Sequence, residues 1–298
     1  MTDRISLEGW RQTGHRFPYH GHDIFYRREG KGPALLLIHG FPTASHDWHK
    51  IWPELVTRFE VIAPDMIGFG FSAKPRDYAY SLRDQATLHE QLLRAMGIAE
   101  FHILAHDYGV SVTQELMARE QACAAGGEPG LRILSVALLN GGLFPETHRA
   151  VLTQKLLLSP IGPLLSRLLS KKKMGGTMTR IFGPDSPPSA ETIEDFWALI
   201  AENDGNRIMH KLIRYMPERV ENRAAWVGAL QMAAQPVRLI NGPEDPISGR
   251  HMAERFRELV PDPDITFLEG IGHYPQIEDP AGVLRAFLEF QERHRHPT

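Results

Sequence analysis

The fold is decided by a short stretch in the first half of the chain, FHILAHDYG at residues 101–109. Its apolar first half predicts a buried strand, and the apolar residues within 110–118 predict a helix. Asp107 therefore lies in the turn between a strand and a helix. Small residues stand two positions before it and two positions after it, at Ala105 and Gly109, as a sharp and crowded turn requires. Such a turn displays its central side chain at the end of a strand, although an aspartate here could also simply cap the helix.

Apolar runs on either side of this turn predict further strands. The run at 34–38 is continuous rather than alternating, which is typical of a strand covered on both faces in a largely parallel sheet. A helix is predicted over 81–96, and Gly97 provides its stop. Because strands and helices alternate, we predict an α/β fold with a doubly wound, mostly parallel sheet. The other predicted strands are 24–26, 61–63, 133–139, 237–240 and 265–268.

The alternation of strands and helices stops after about Gly141. No strand is evident in residues 144–230, where Gly- and Pro-bearing turns separate helix-like segments. Two strands and a closing helix then follow. We therefore predict a core made of residues 1–143 and 231–298, with 144–230 inserted as a helical cap. A separate C-terminal domain is the alternative, but two strands and one helix would make a thin core. The helix-like segments of the insertion are 151–157, 190–200 and 207–215, and 171–173 are expected to form a solvated turn.

The composition is that of an ordinary globular protein. Of 298 residues, 42% are apolar and 23% are charged, and 33 basic against 36 acidic side chains leave a formal net charge of −3. No strong field favours nucleic acid or an anionic membrane, so neither is an expected partner. The single cysteine, Cys123, excludes an internal disulfide framework, and no run reaches the roughly 18 apolar residues that cross a bilayer. We expect a cytoplasmic monomer or homodimer.

Polar residues that could carry chemistry follow other predicted strands. His39, Asp245 and His273 each come directly after one of them or in the loop that follows it. The chain order Asp107, Asp245, His273 is that of the nucleophile, acid and histidine in an α/β-hydrolase triad. Each residue alone could be an ordinary turn residue, and Glu244 competes with Asp245 for the acid role. The catalytic interpretation is favoured because all four residues, His39 together with the three of the triad, stand at strand ends.

Five motifs stand at these strand ends: HGFP at 39–42, DMIGFGFS at 65–72, HDYG at 106–109, GPEDP at 242–246 and GHYP at 272–275. Together they resemble the epoxide hydrolase and haloalkane dehalogenase branch of the α/β-hydrolases, and the resemblance spans nearly the whole chain. It implies the α/β-hydrolase fold with an inserted cap, and the Asp-Pro in the fourth motif favours Asp245 as the acid. Three more motifs, NGGLFPETHR at 140–149, NDGN at 203–206 and WVGAL at 226–230, are similar to the mesoderm-specific transcript subgroup, whose members are described as epoxide-hydrolase-like.

An aspartate nucleophile has a chemical consequence. A serine attacking an epoxide or alkyl halide carbon would form an ether, which water does not readily cleave, whereas a carboxylate forms an ester that activated water can hydrolyse. Asp107 is therefore the expected nucleophile, His273 the water-activating base and Asp245 the group that orients its ring. The backbone N–H groups of Phe41 and Tyr108 would stabilise the oxyanion of the second step. A serine esterase is disfavoured because the sequence contains no Gly-x-Ser-x-Gly.

Epoxide hydrolysis and dehalogenation differ in the leaving group that the site must stabilise. Haloalkane dehalogenases hold the halide with a Trp after the nucleophile and often an Asn after His-Gly, where this chain has Tyr108 and Phe41. Fluoroacetate-type dehalogenases use arginines near the nucleophile, and residues 108–111 offer none. Epoxide hydrolases protonate the opening ring with cap tyrosines, of which the insertion has one, Tyr215. His148 is a candidate second donor, or an exposed polar residue.

The sequence thus predicts an epoxide hydrolase that converts a small lipophilic epoxide to a vicinal diol. The first alternative is a haloalkane dehalogenase, or another α/β-hydrolase with the same nucleophile. The second is a non-catalytic binder of a small ligand on the same fold, which would place no demand on a full triad. We expect no metal and no cofactor, since the triad needs neither. The residues expected to line the substrate pocket are His39, Pro42, Trp48 and His106.

Overall fold

The computed structural model describes residues 5–127 and 130–294, so the outermost parts of the predicted core, 1–4 and 295–298, lie outside the described residues. Within these ranges the centre of the protein is one sheet of eight strands. The strands are β1 (His15–Tyr19), β2 (His22–Glu29), β3 (Ala34–Ile38), β4 (Glu60–Pro64), β5 (Glu100–Ala105), β6 (Arg132–Leu138), β7 (Val237–Asn241) and β8 (Asp264–Phe267).

The sheet has the strand order β1-β2-β4-β3-β5-β6-β7-β8. The six strands from β3 to β8 are all parallel to their neighbours among these six. Strand β2 pairs antiparallel with β4, and β1 pairs antiparallel with β2 at the edge of the sheet. The predicted α/β fold with a mostly parallel sheet is therefore confirmed. Strand β1 was not predicted, because Pro18 and polar residues interrupt its apolar pattern. A proline is tolerated there because β1 is an edge strand.

Helices cover both faces of the sheet. Residues alternate between two cores along β3, so Leu36 and Ile38 belong to one core and Leu35 and Leu37 to the other. The α-helices are α1 (Leu7–Gln12), α2 (Trp52–Leu55), α3 (Leu82–Ala95), α4 (Tyr108–Gly126), α5 (Leu152–Leu158), α6 (Gly162–Arg167), α7 (Lys171–Ile181), α8 (Ala190–Ala201), α9 (Met209–Leu212), α10 (Tyr215–Glu221), α11 (Arg223–Gln231), α12 (Arg250–Leu259), α13 (Pro275–Glu278) and α14 (Pro280–Arg293). Short 3-10 helices occur at Ser45–Trp48, Pro145–Thr147 and Glu202–Ile208.

The chain between β6 and β7 is helical in the structure, from Pro145–Thr147 through α11, and contains no strand. Two local predictions in this segment are wrong. The helix predicted over 207–215 is interrupted, because the 3-10 helix ends at Ile208, α9 follows, and Tyr215 begins α10. The turn predicted at 171–173 is instead the start of α7, which buries Met174, Met178 and Ile181 on one face and leaves the lysines exposed.

No helix in the described part of the chain is both long enough and apolar enough to cross a membrane.

Candidate functional site

Asp107 stands in a strained turn between β5 and α4. Its backbone has φ 45° and ψ −105°, a region that residues other than glycine rarely occupy. The space around it is filled by backbone and rings. A Cβ on Gly109 would lie 2.4 Å from the carbonyl oxygen of Ile38, and one on Gly40 would lie 2.7 Å from Nδ1 of His106. The turn therefore requires the two glycines, and it points the carboxylate beyond the end of β5.

The structure brings Asp107, His273 and Asp245 together from three strand ends. Nδ1 of His273 donates to Oδ2 of Asp245 at 2.7 Å, and Nε2 of His273 lies 3.8 Å from Oδ1 of Asp107. All three side chains are buried. A histidine held by a carboxylate on one nitrogen and facing another carboxylate with the other is suited to proton transfer at the second site.

The electrostatics of this pair follow from its burial and its charges. Burial lowers the pKa of His273, but the Asp245 carboxylate and then that of Asp107 outweigh it and raise the pKa to about 9. Burial raises the pKa of Asp245, but His273 and the hydroxyl of Ser248 outweigh it and lower the pKa to about 2. At neutral pH Asp245 is therefore ionised and His273 is protonated in the free protein.

Two residues that hold the acid were not singled out from the sequence. Nδ2 of Asn140 donates to Oδ2 of Asp245 at 3.0 Å, and the backbone carbonyl of Asn140 accepts from the N–H of Asp107 at 2.8 Å. Ser248 donates to Oδ2 of Asp245 from both its N–H and its hydroxyl. Asn140 lies two residues after the end of β6, which is the positional signal that could have identified it. It links the turn of Asp107 to the loop of Asp245.

The two oxygens of the Asp107 carboxylate have different surroundings. Oδ2 accepts a hydrogen bond from the N–H of Phe41 at 3.0 Å, whereas Oδ1 faces His273. Tyr108 is the first residue of α4, where backbone N–H groups lack partners within the helix. The predicted oxyanion donors therefore lie on the loop after β3 and at the start of α4, on either side of Asp107.

Tyr215 is brought to this site from the insertion. It is fully buried, and its ring centroid lies 5.8 Å from that of Phe41 and 5.1 Å from that of Tyr108. Nε2 of Gln154 donates to its hydroxyl oxygen at 3.3 Å, which leaves the hydroxyl proton available for donation. Burial and then the Asp107 carboxylate raise the pKa of Tyr215, so the phenol is neutral at physiological pH.

Arg219 is the main site residue that the sequence did not reveal. It is only 2% exposed; Nε donates to Oγ of Ser111 at 2.6 Å and Nη2 donates to the backbone carbonyl of Asp107 at 3.2 Å. Its guanidinium carbon lies 4.4 Å from the centroid of the Tyr215 ring. Within the described residues it has no carboxylate in ion-pair contact, and Nη1 has no hydrogen-bond partner. Its position one helical turn after Tyr215 on α10 was the only sequence signal.

His148 lies beside Arg219. A Cβ on Gly142 would lie 2.4 Å from Nη1 of Arg219 and 3.2 Å from Nδ1 of His148, so both groups converge on that glycine. Neither ring nitrogen of His148 has a hydrogen-bond partner among the described residues, although both are buried. Burial and then Arg219 lower the pKa of His148 to about 4, so it is a neutral imidazole at physiological pH.

Three of the four residues predicted to line the substrate pocket lie next to the catalytic candidates. His39 is bonded to backbone at both ring nitrogens, Nδ1 to the carbonyl of Gly40 at 2.9 Å and Nε2 to the N–H of Met66 at 3.0 Å. Nε2 of His106 lies 2.7 Å from the backbone carbonyl of His273 and so holds that loop. Pro42 directly follows Phe41, the predicted oxyanion donor, and is partly buried. These three residues are adjacent to the catalytic candidates.

Trp48 is separated from them. It packs in the core that contains Leu35 and Leu37, whereas Phe41, Tyr108 and Tyr215 belong to the core on the opposite face of the sheet. Trp48 is fully buried in that core, and its predicted place in the substrate pocket stays a prediction.

Across residues 5–127 and 130–294 there is no group of three or more His, Cys, Asp or Glu side chains that could hold a metal ion.

Comparison with known proteins supports the resemblance seen in the motifs. Residues 33–280 match the family model described as alpha/beta hydrolase fold. The chain is 42% identical over 296 residues to the mesoderm-specific transcript protein of Mus musculus, a match that covers 96% of this chain and 88% of that protein.

Solved structures of two hydrolase types have the same fold. The haloalkane dehalogenase DbeA from Bradyrhizobium elkani USDA94 superposes with a TM-score of 0.79 at 23% identity, covering 94% of this chain and 98% of the other. The epoxide hydrolase CorEH superposes with a TM-score of 0.75 at 20% identity, and the match covers 95% of this chain and 99% of the other. At these identities the two solved structures show the fold alone. Together with the family match and the 42% identical relative, they confirm the resemblance to the α/β-hydrolases that the motifs predicted.

Proposed function

The chain belongs to the α/β-hydrolase fold family and, within it, to the mesoderm-specific transcript group, and on that premise we propose that it opens small lipophilic epoxides to vicinal diols through an ester on Asp107. One observation carries the proposal. A carboxylate, rather than a serine hydroxyl, stands in the strained turn after β5, with His273 facing one of its oxygens and the N–H of Phe41 bound to the other.

In the first step Oδ1 of Asp107 attacks an epoxide carbon and the carbon–oxygen bond of the ring breaks. This assignment follows from the hydrogen bonding, because Oδ2 is already held by Phe41 and becomes the carbonyl oxygen of the ester. The result is an alkyl ester of Asp107 and an alkoxide on the neighbouring carbon.

The alkoxide requires a proton donor next to the nucleophile. Tyr215 supports this role, because its hydroxyl accepts from Gln154 and keeps its own proton, and because Arg219 stabilises the phenolate that remains. His148 is a second candidate donor, as a neutral imidazole. A halide leaving group would not need this proton, so the buried phenol favours the epoxide over the haloalkane.

In the second step a water molecule attacks the ester carbonyl and gives its proton to His273, which Asp245 orients. The negative charge moves onto Oδ2 of Asp107, which accepts from Phe41 and, in this proposal, from the N–H of Tyr108. The diol then leaves with the proton from His273, and the second proton of the water, which is left on the carboxyl group of Asp107, returns to the Tyr215 phenolate. Ester formation removes the charge of Asp107, which lowers the pKa of His273 and allows it to act as a base.

We also propose that residues 144–230 act as a cap over a core of 1–143 and 231–298. Tyr215, Arg219 and Gln154 support this division, because they all come from the insertion and all reach the turn of Asp107 or each other.

The test is to trap the ester. His273→Gln should still be alkylated but should not hydrolyse the ester, so intact-mass spectrometry after exposure to styrene oxide should show one adduct on the peptide that holds Asp107. An epoxide adds its whole mass, since no atom leaves, whereas a bromoalkane adds only its alkyl group and releases bromide. The same measurement therefore separates the two chemistries.

The matched control is the double variant Asp107→Asn/His273→Gln, which should form no adduct. An adduct on a serine would refute the mechanism, and so would the absence of any adduct while the wild type turns over. Bromide release without diol formation would favour the dehalogenase. Binding without either product would favour the non-catalytic binder.

A further inference from the structure

The outer surface of the insertion carries most of the exposed apolar side chains of the described structure. Eight large hydrophobic residues are exposed within the described ranges, and six of them lie between positions 152 and 168. A folded protein normally buries a cluster of this size or uses it as a contact surface. The six are Leu152, Leu156, Leu158, Ile161, Leu164 and Leu168, which we call the leucine face.

Two residues of the leucine face, Leu152 and Leu156, lie on the side of α5 that is opposite to Gln154. Helix α5 packs against α6, and Gln154 and Leu157 are its buried residues. Gln154 reaches the hydroxyl of Tyr215, while Leu152 and Leu156 on the same helix are exposed. The short helix α5 therefore stands between this part of the leucine face and the proposed proton donor.

The charge around this face has one sign. Residues 147–184 contain seven Lys and Arg residues and no Asp or Glu, although the whole chain has more acidic than basic residues. Lys155, Arg167 and the lysines at 171–173 are exposed. Of these, only Lys171 is in ion-pair contact with a carboxylate within the described structure, that of Glu194. The three lysines begin α7, where the helix dipole is also positive.

We propose that the leucine face docks on the surface of an anionic phospholipid membrane, with the leucines at the acyl boundary and the surrounding lysines and arginines at the headgroups. Exposed leucines within a basic segment are the combination that an interfacial site requires. The expectation of no membrane partner rested on the net charge of −3, which averages over this local excess of positive charge. If the epoxide proposal also holds, docking would bring Tyr215 and Asp107 next to a reservoir of lipophilic substrate.

A second copy of the chain is a poorer occupant. A two-fold symmetric interface places the same surface on both sides, so it would set these lysines and arginines against one another. An anionic surface removes that repulsion and covers the leucines.

The test is flotation of the full chain with vesicles, without substrate, so that its result is independent of the proposed reaction. We expect binding to vesicles of phosphatidylcholine mixed with phosphatidylserine, weak binding to phosphatidylcholine alone, and weaker binding at high salt. Leu152→Gln/Leu164→Gln/Leu168→Gln should abolish flotation. Lys172→Ala should lower the partition coefficient about fivefold.

The matched control is Val220→Gln/Met232→Gln, which alters the two exposed apolar residues outside the face and should leave binding unchanged. Circular dichroism and the melting temperature show whether each variant remains folded. A folded wild type that floats with neither vesicle overturns the proposal, as does a folded triple variant that still binds. A dimer that the triple substitution dissociates, without vesicle binding, would make the face an interface between copies.

Discussion

The guanidinium carbon of Arg219 lies 4.4 Å from the ring centroid of Tyr215, while Nη2 of the same side chain holds the backbone carbonyl of Asp107 at 3.2 Å. A single buried cation therefore connects the proposed proton donor to the turn of the proposed nucleophile. A cation against a phenol favours the phenolate, which opposes the effect of burial on the pKa of Tyr215. In the proposed mechanism Arg219 is therefore a positioning residue for ring opening.

Replacing Arg219 should slow ester formation. Arg219→Met removes the cation and the contact with Asp107, and we expect the single-turnover rate of Asp107 alkylation to fall about 100-fold, as for a modest displacement of reacting groups. Arg219→Lys should restore part of the rate, because it keeps the charge. The control is Arg223→Met, which alters an exposed arginine bonded to Glu146 and should leave the rate unchanged. Equal rates for wild type and Arg219→Met would contradict the assignment.

The proton donors can be distinguished by single substitutions. Tyr215→Phe should lower the rate of Asp107 alkylation by roughly 10²–10⁴-fold, the effect of losing a general acid. His148→Ala should lower it less, because Tyr215 remains. Since the pKa of His148 is lowered to about 4, the ring is neutral above that pH, and its contribution should be constant between about pH 5 and 8. Full-rate alkylation in both variants would favour a leaving group that needs no proton.

The pKa of His273 should change during turnover. It is raised to about 9 in the free protein because, although burial lowers it, Asp245 and then Asp107 raise it more. Ester formation neutralises Asp107, so the pKa of His273 should fall below that value. The base must be neutral, so ester hydrolysis should speed up as pH rises through the lowered pKa and then level off. Rapid-quench measurement of ester hydrolysis against pH gives this value.

Asp107→Asn provides the control for this shift. It mimics the loss of charge in the ester while keeping the size of the side chain, so NMR titration should find a lower pKa for His273 in the variant than in the wild type. Identical values in the two proteins would mean that Asp107 does not set the state of the base.

The backbone of Asp107 should store strain. Glycine adopts positive φ without cost, whereas alanine at φ 45° does not, so Asp107→Gly should unfold at a higher urea concentration than Asp107→Ala, by about 1 kcal/mol in the free energy of unfolding. Both variants should lack turnover and remain folded. A glycine variant less stable than the alanine variant would mean that the turn is relaxed.

The parts of the fold that the sequence predicted well are those with local signals. A continuous apolar run marked β3, because a strand covered on both faces needs no polar positions, and a mostly apolar run interrupted by His102 marked β5. The positions of Asp107, Asp245 and His273 after strands predicted that they would meet, since parallel strands end at one edge. Strand β1 had no such signal, and neither had the break before Tyr215, where α9 ends at Leu212 and α10 begins.

The surrounding contacts could not be predicted in the same way. Arg219 reaches Asp107 across 112 residues and Gln154 reaches Tyr215 across 61, so both contacts depend on how the insertion folds back over the sheet. The leucine face was missed for a related reason. An apolar helical pattern predicts burial against a core, and only the packing of α5 and α6 shows which of its residues stay outside.

Asn140 joins the turn of Asp107 to the side chain of Asp245. Its carbonyl accepts from the N–H of Asp107 and its side chain donates to Asp245, so two members of the proposed triad are joined within the core. The third, His273, is also held from the insertion, because its N–H donates to the carbonyl of Ile181 at 2.8 Å. The groups proposed to act in ring opening, Tyr215 and Arg219, belong to the insertion. Exchanging the insertion for another should therefore replace the ring-opening groups while keeping Asp107, Asp245 and Asn140, so that new specificity arises on the same core as long as the new insertion also holds the loop of His273.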